Sequence, residues 1–132
     1  MSAWPERLVL EAGPITALEL ALFAAASGDH NPLHLDEAVA HAAGFERPIT
    51  HGMLTMAHIS RCVSSRFGAA RVSTIETRFT GVLLRGDSLL IEGVLAAQGT
   101  DDSACYRLRA TAASDGHEVA TGMARVAPPT RT

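Results

Sequence analysis

The sequence predicts an α+β fold, helices first and then an antiparallel sheet, on three observations. The first is the run from His51 to Phe67, which has no proline and no interior glycine after Gly52. In it Met53, Leu54, Met56, Ala57, Ile59, Cys62 and Val63 cover more than half of a helical circumference. The second is period-two alternation after Gly68, clearest where Ala104, Tyr106, Leu108, Ala110 and Ala112 interleave with Cys105, Arg107, Arg109 and Thr111. The third is order: helix signals precede strand signals instead of alternating with them. That favours an antiparallel sheet packed on one buried helix over a chain of βαβ units.

Residues 7–11 read as a short strand, ended by Gly13-Pro14. Thr16 stands three residues before Glu19, the spacing of a capping box, and opens a helix over 17–26 that Gly28 stops. A short second helix begins at 35–37 with Asp36 as N-cap and Gly44 as its stop. The third helix, His51 to Phe67, closes at Gly68 and is expected to be buried nearly all round. Strands are expected at 74–79, at 88–98 after the Arg85-Gly86-Asp87 turn, at 104–112 and at 117–126. Asp115-Gly116 supplies the last hairpin turn, and the four strands read as a meander.

The 132 residues fit one domain over 1–132, with 128–132 as a frayed tail. The net charge of -3 argues against a nucleic-acid surface. All eleven basic residues are arginine, so Schiff-base chemistry on lysine and a Walker-type phosphate loop are excluded. Cys62 and Cys105 match no disulfide or metal spacing and read as two buried thiols. The first fifteen residues hold no apolar core of a signal peptide, and no apolar run approaches the ~20 residues that span a bilayer. The expectation is a soluble cytoplasmic protein with no membrane or nucleic-acid partner.

Two short stretches carry the chemistry. Ser27-Gly28-Asp29-His30-Asn31-Pro32-Leu33-His34 places a carboxylate and an imidazole five positions apart on a loop that Pro32 stiffens. Arg47-Pro48-Ile49-Thr50-His51-Gly52-Met53 places a glycine at the mouth of the long helix, where backbone N–H groups are unpaired. A carboxylate, an imidazole and a helix N-terminus can move protons and steady an oxyanion. Ser27, Asp29 and Asn31 also suit simple turn capping, and Gly52 also suits a simple helix cap. His51 reads as a supporting or structural residue. His30, His34 and His51 match no zinc spacing, so no metal is expected. Ser60 lies eight residues after Gly52 on nearly the same face, ~12 Å further along, where packing or support from behind is all it can offer. His41, His58 and His117 are assigned no role.

The segments Ser27–Asp36, Phe45–Ile49 and His51–Leu54 resemble the MaoC-like dehydratases, the (R)-specific enoyl-CoA hydratase family. The resemblance implies a hot-dog fold, a long helix wrapped by a curved antiparallel sheet. It implies that Asp29 and His34 are the catalytic pair, that Asn31 holds the water or the loop, and that the Gly52 N–H binds the thioester oxygen. Ser60 corresponds to a serine near the site in some members. The implied reaction interconverts a trans-2-enoyl and a (3R)-3-hydroxyacyl thioester of coenzyme A or acyl carrier protein, without a cofactor. Arg47, Arg78 and Arg85 are the candidates for the carrier's phosphates. A chain of this length implies a site lying between two subunits, in a homodimer or a heterodimer with a related subunit. Two rival readings remain at this stage: a hot-dog thioesterase and a non-catalytic subunit that completes a heteromer.

Overall fold

A computed structural model describes residues 4–130. Strand β1 is Arg7–Ala12, helix α1 Ala17–Ser27, α2 Glu37–Ala42 and α3 Gly52–Phe67; strands β2 to β5 are Val72–Phe79, Leu89–Gln98, Ala104–Ala112 and Glu118–Val126. Local chemistry sets the helix ends. The Thr16 hydroxyl accepts the Glu19 N–H at 3.1 Å, and Gly28 leaves α1 at φ 79°. Only that half of the capping box forms: the Glu19 carboxylate turns instead to His58 Nε2 at 2.8 Å and ties α1 to α3. Asp36 caps α2 by accepting from the N–H groups of Ala38 and Val39. A 3₁₀ turn at Pro32–His34 interrupts what the sequence presents as open loop.

The strands form one antiparallel sheet in the order β1-β3-β4-β5-β2. This corrects the four-strand meander. Strands β3, β4 and β5 do follow one another, but β2 pairs with β5, not with its neighbour in sequence. After Phe79 the chain crosses the sheet, and Leu83 and Arg85 on this connector bond to the backbone of Thr50 and Pro48. Gly122 makes the β2–β5 pairing possible: a Cβ there would run into the Glu76 carbonyl.

The core lies between α3 and the inner face of the sheet. Leu54, Ile59, Cys62 and Val63 of α3 meet Ile91, Tyr106, Leu108, Ala110 and Ala124. The Tyr106 hydroxyl donates to the Pro5 carbonyl at 2.7 Å and pins the segment before β1. A long helix lying on a five-stranded antiparallel sheet is the hot-dog architecture. Helix α3 is not buried all round, however. Met53 is 60% exposed, and Ala57 and Arg61 are exposed with it, because the sheet covers one side of the helix only. Cys62 is buried, but Cys105 is half-buried, since the alternation of β4 turns it to the outer face. Pro128–Thr130 belong to no helix or strand; Arg131 and Thr132, the end of the expected frayed tail, lie outside the described residues. No described helix is long and apolar enough to cross a membrane.

Candidate active site

The loop that follows α1 is built from three consecutive side-chain turns. Ser27 Oγ accepts the Asp29 N–H at 3.1 Å, Asp29 Oδ1 the Asn31 N–H at 3.2 Å, and Asn31 Oδ1 the Leu33 N–H at 3.1 Å. The capping reading of these residues therefore holds. Each cap uses one oxygen, and the chain of caps leaves Asp29 Oδ2 free to face outward from a rigid loop. Asn31 holds the loop by this bond.

The 3₁₀ turn carries His34 inward to 9% exposure. Its Nδ1 lies 2.8 Å from the Ile49 carbonyl, and a carbonyl only accepts, so Nδ1 bears the proton. In the neutral ring Nε2 is then a bare lone pair. It faces Asp29 Oδ2 at 3.7 Å, longer than a hydrogen bond, on a carboxylate whose side chain is 51% exposed. One water or one substrate oxygen can address both groups.

The segment from Pro48 to Thr50 sets the second half of the site. The Ile49 N–H donates to Leu33, the Thr50 N–H to Leu83, and the Arg85 N–H to Pro48. Clamped between the 3₁₀ turn and the β2–β3 connector, this segment delivers His51 and then Gly52. His51 is 1% exposed, and its ring stacks on His34 with centroids 3.8 Å apart and planes at 23°. Its Nε2 donates to the Asp29 backbone carbonyl at 3.2 Å. Burial holds the His51 imidazole below its usual pKa; the bond to Asp29 opposes this, and the neighbouring His34 adds to the lowering. Gly52 opens α3; the Leu54 and Thr55 N–H groups turn back to the His51 carbonyl, and those of Gly52 and Met53 have no backbone acceptor among the described residues. Beside it stands the ring of Phe79, 46% exposed at the end of β2.

The structure brings the candidates Asp29, His34, His51 and Gly52 together, but not Ser60. The Ser60 hydroxyl donates to the Met56 carbonyl at 2.8 Å inside its own helix, as a packing polar does. Sequence reasoning missed Phe23, whose ring packs on His51 at 4.8 Å, and Phe79 beside Gly52. An aromatic one turn before the Gly28 stop was the available signal for Phe23; nothing local marks Phe79. Of the three candidate arginines, Arg85 is paired with Glu37, while Arg47 and Arg78 are exposed. The histidines left without a role all hold structure. His41 bonds to the Glu46 carbonyl, His58 to Glu19, and His117 to both Asp115 and the Val82 carbonyl.

A donor atom from each of Asp29, His34 and His51 lies within 4.8 Å of the others. The set does not fit a metal. The two rings are stacked, so their in-plane lone pairs run side by side where a tetrahedral ion needs them to converge.

Comparison with known proteins agrees with this fold. The peroxisomal multifunctional enzyme type 2 of Drosophila melanogaster is 35% identical over 99 residues, 73% of this chain; the chain spans only 16% of that enzyme's length. The solved structure of the (R)-hydratase from A. caviae involved in PHA biosynthesis superposes with a TM-score of 0.85 at 33% identity, covering 93% of this chain and 94% of that one. The R-hydratase PhaJ1 from Pseudomonas aeruginosa, in its unliganded form, gives a TM-score of 0.87 at 29% identity, covering 98% and 84%. The profile of the MaoC like domain matches residues 6–117. With fold and profile in agreement, the chain belongs to the MaoC-like domain family.

Proposed function

We propose that the protein reversibly hydrates trans-2-enoyl thioesters to (3R)-3-hydroxyacyl thioesters, on coenzyme A or an acyl carrier protein. The observation that carries this is the free Nε2 of His34 facing the Asp29 carboxylate at 3.7 Å, one stacked ring away from the N-terminus of α3. The family and the two (R)-hydratase structures support it.

In the hydration direction the Asp29–His34 pair takes a proton from water as its oxygen attacks the β-carbon. Electron density moves through the double bond to the thioester oxygen, which the first-turn N–H groups at Gly52 stabilise. The pair then returns one proton to the α-carbon. One bond to oxygen and one to hydrogen form, the double bond is consumed, and no redox partner is needed. A positioned acid–base pair contributes about 10²–10⁴-fold and one oxyanion donor about 10²–10³-fold.

Asp29 is half exposed, and Leu18 and Leu22 of α1 and Met53 of α3 are exposed apolar side chains, so a second subunit is expected to complete the site. A homodimer is the simpler assembly, and a heterodimer with a related subunit fits the same surfaces. The test is a crotonyl-CoA assay that follows loss of the enoyl absorbance beside a thiol-release assay. Hydration without thiol release supports the proposal; thiol release without hydration makes the protein a thioesterase, and neither makes it a non-catalytic subunit.

A further inference from the structure

We infer that His51 is a positioning residue, a neutral imidazole that sets the plane of the His34 ring and the place of Asp29 through separate contacts. The inference rests on the hydratase reading. His51 touches neither the water nor the thioester in that reading; it acts on the two groups that do.

The geometry gives each part of the ring a task. Nε2 donates to the Asp29 backbone carbonyl at 3.2 Å and so holds the residue without occupying its carboxylate. One ring face lies on His34 at 3.8 Å, and the Phe23 ring from α1 packs on His51 at 4.8 Å with planes at 59°. A buried ring packed against both Phe23 and His34 and tied through Nε2 has a restricted orientation, and His34 stacks on it. The residue after His51 is Gly52, so the same backbone also fixes the start of α3. One buried side chain thereby registers α1, the Asp29 loop, the 3₁₀ turn and the helix N-terminus.

Neutrality follows from the same contacts. The Asp29 carbonyl accepts only, so the proton sits on Nε2 and Nδ1 is a bare lone pair. That Nδ1 is buried and has no hydrogen-bond partner among the described residues. A second proton there would create an N–H with no acceptor, directly against the ring that must charge during turnover. The titratable groups facing His51 are Asp29 from the loop and His34 from the 3₁₀ turn; α1 presents the uncharged Phe23. The lowered pKa of His51 agrees. A proton added to the stack therefore goes to His34, whose Nε2 faces the Asp29 carboxylate, and not to His51.

Imidazole NMR of the full chain tests this, with two variants. In the wild type, His51 is expected to keep its Nε2–H tautomer through the pH range in which His34 titrates. His51→Phe keeps the stack and loses the donor; His51→Gln keeps a donor and loses the ring. Both are expected to lower kcat on crotonyl-CoA by about 10- to 100-fold through misplacement of the pair. KM is expected to stay within about threefold, because the thioester contacts remain. His51→Gln is also expected to move the acid limb of the pH profile, and His51→Phe to leave it in place. The inference is overturned if His51 charges together with His34, or if both variants keep kcat and the acid limb. An inactive wild type would overturn the hydratase reading alone, and the titration would still decide the protonation of the stack.

Discussion

Replacing Gly52 by serine separates an oxyanion site from a helix cap. At this position a Cβ would lie 3.4 Å from two carbons of the Phe79 ring and 3.6 Å from a third, with no backbone atom among the nearest three. That is ordinary contact with a half-exposed side chain at a strand end. Serine also suits a first helical turn better than glycine, by roughly 0.5 kcal/mol. The fold is therefore expected to change by less than ~1 kcal/mol in stability, in either direction. Catalysis is another matter. The new side chain fills the space between the first turn of α3 and Phe79, which is where a thioester oxygen must approach the N–H groups. Loss of one such donor costs about 10²–10³-fold in kcat, or about 3–4 kcal/mol of transition-state stabilisation. Because charge grows on the oxygen as water adds, the loss is expected in kcat more than in KM. Turnover and thermal melting measured on one preparation decide the matter. Unchanged turnover would refute the oxyanion assignment and leave Gly52 as a helix start; equal losses in turnover and stability would make it a packing position.

Three further outcomes follow from the geometry. The Val82 carbonyl first, and the Asp115 carboxylate with it, raise the pKa of His117 above 6.5, while His117 lowers that of Asp115 below 3.8. A raised histidine stabilises fully below its unfolded value and loses that contribution as pH rises through the folded one, and a lowered carboxylate behaves in the opposite sense. His117→Ala is thus expected to be most destabilising between these limits, and the difference from wild type in chemical denaturation should shrink as pH rises through the folded value, leaving only what the neutral ring's bond to the Val82 carbonyl contributes. Burial pushes the Cys62 thiol up to about 11, so a maleimide is expected to label the half-buried Cys105 in the native protein and Cys62 only on unfolding; rapid native labelling of Cys62 would contradict the core packing. Gly122→Ala drives a Cβ into the Glu76 carbonyl, so a loss of about 2 kcal/mol or more is expected in melting experiments, and a neutral result would contradict the β2–β5 register.

Local chemistry was legible in the sequence; distant pairing was not. Thr16, Gly28 and Asp36 mark helix ends by bonds to residues two to four away, and the alternation of β4 needs only its own neighbours. The partner of β2 lies some fifty residues on, past two better-placed candidates, and period-two alternation says nothing about which strand is adjacent. Apolar coverage of α3 showed that the helix needs burial, but not that this chain buries only one side of it. At the site, Asp29, His34 and Gly52 could be singled out because residue type, spacing and punctuation point to one chemistry. The stacking of His51 on His34 and the packing of Phe23 behind it have no such signal. They arise because Ile49 is bonded to Leu33, which closes two segments onto one another.

The most direct test of the central claim is crotonyl-CoA hydration by the wild type, Asp29→Asn, His34→Ala and the double variant, with folding checked by circular dichroism. The account predicts a loss of at least ~10²-fold for each single variant, and a double variant little worse than the poorer single because the pair acts as one unit. Near-full activity in both folded single variants would contradict it.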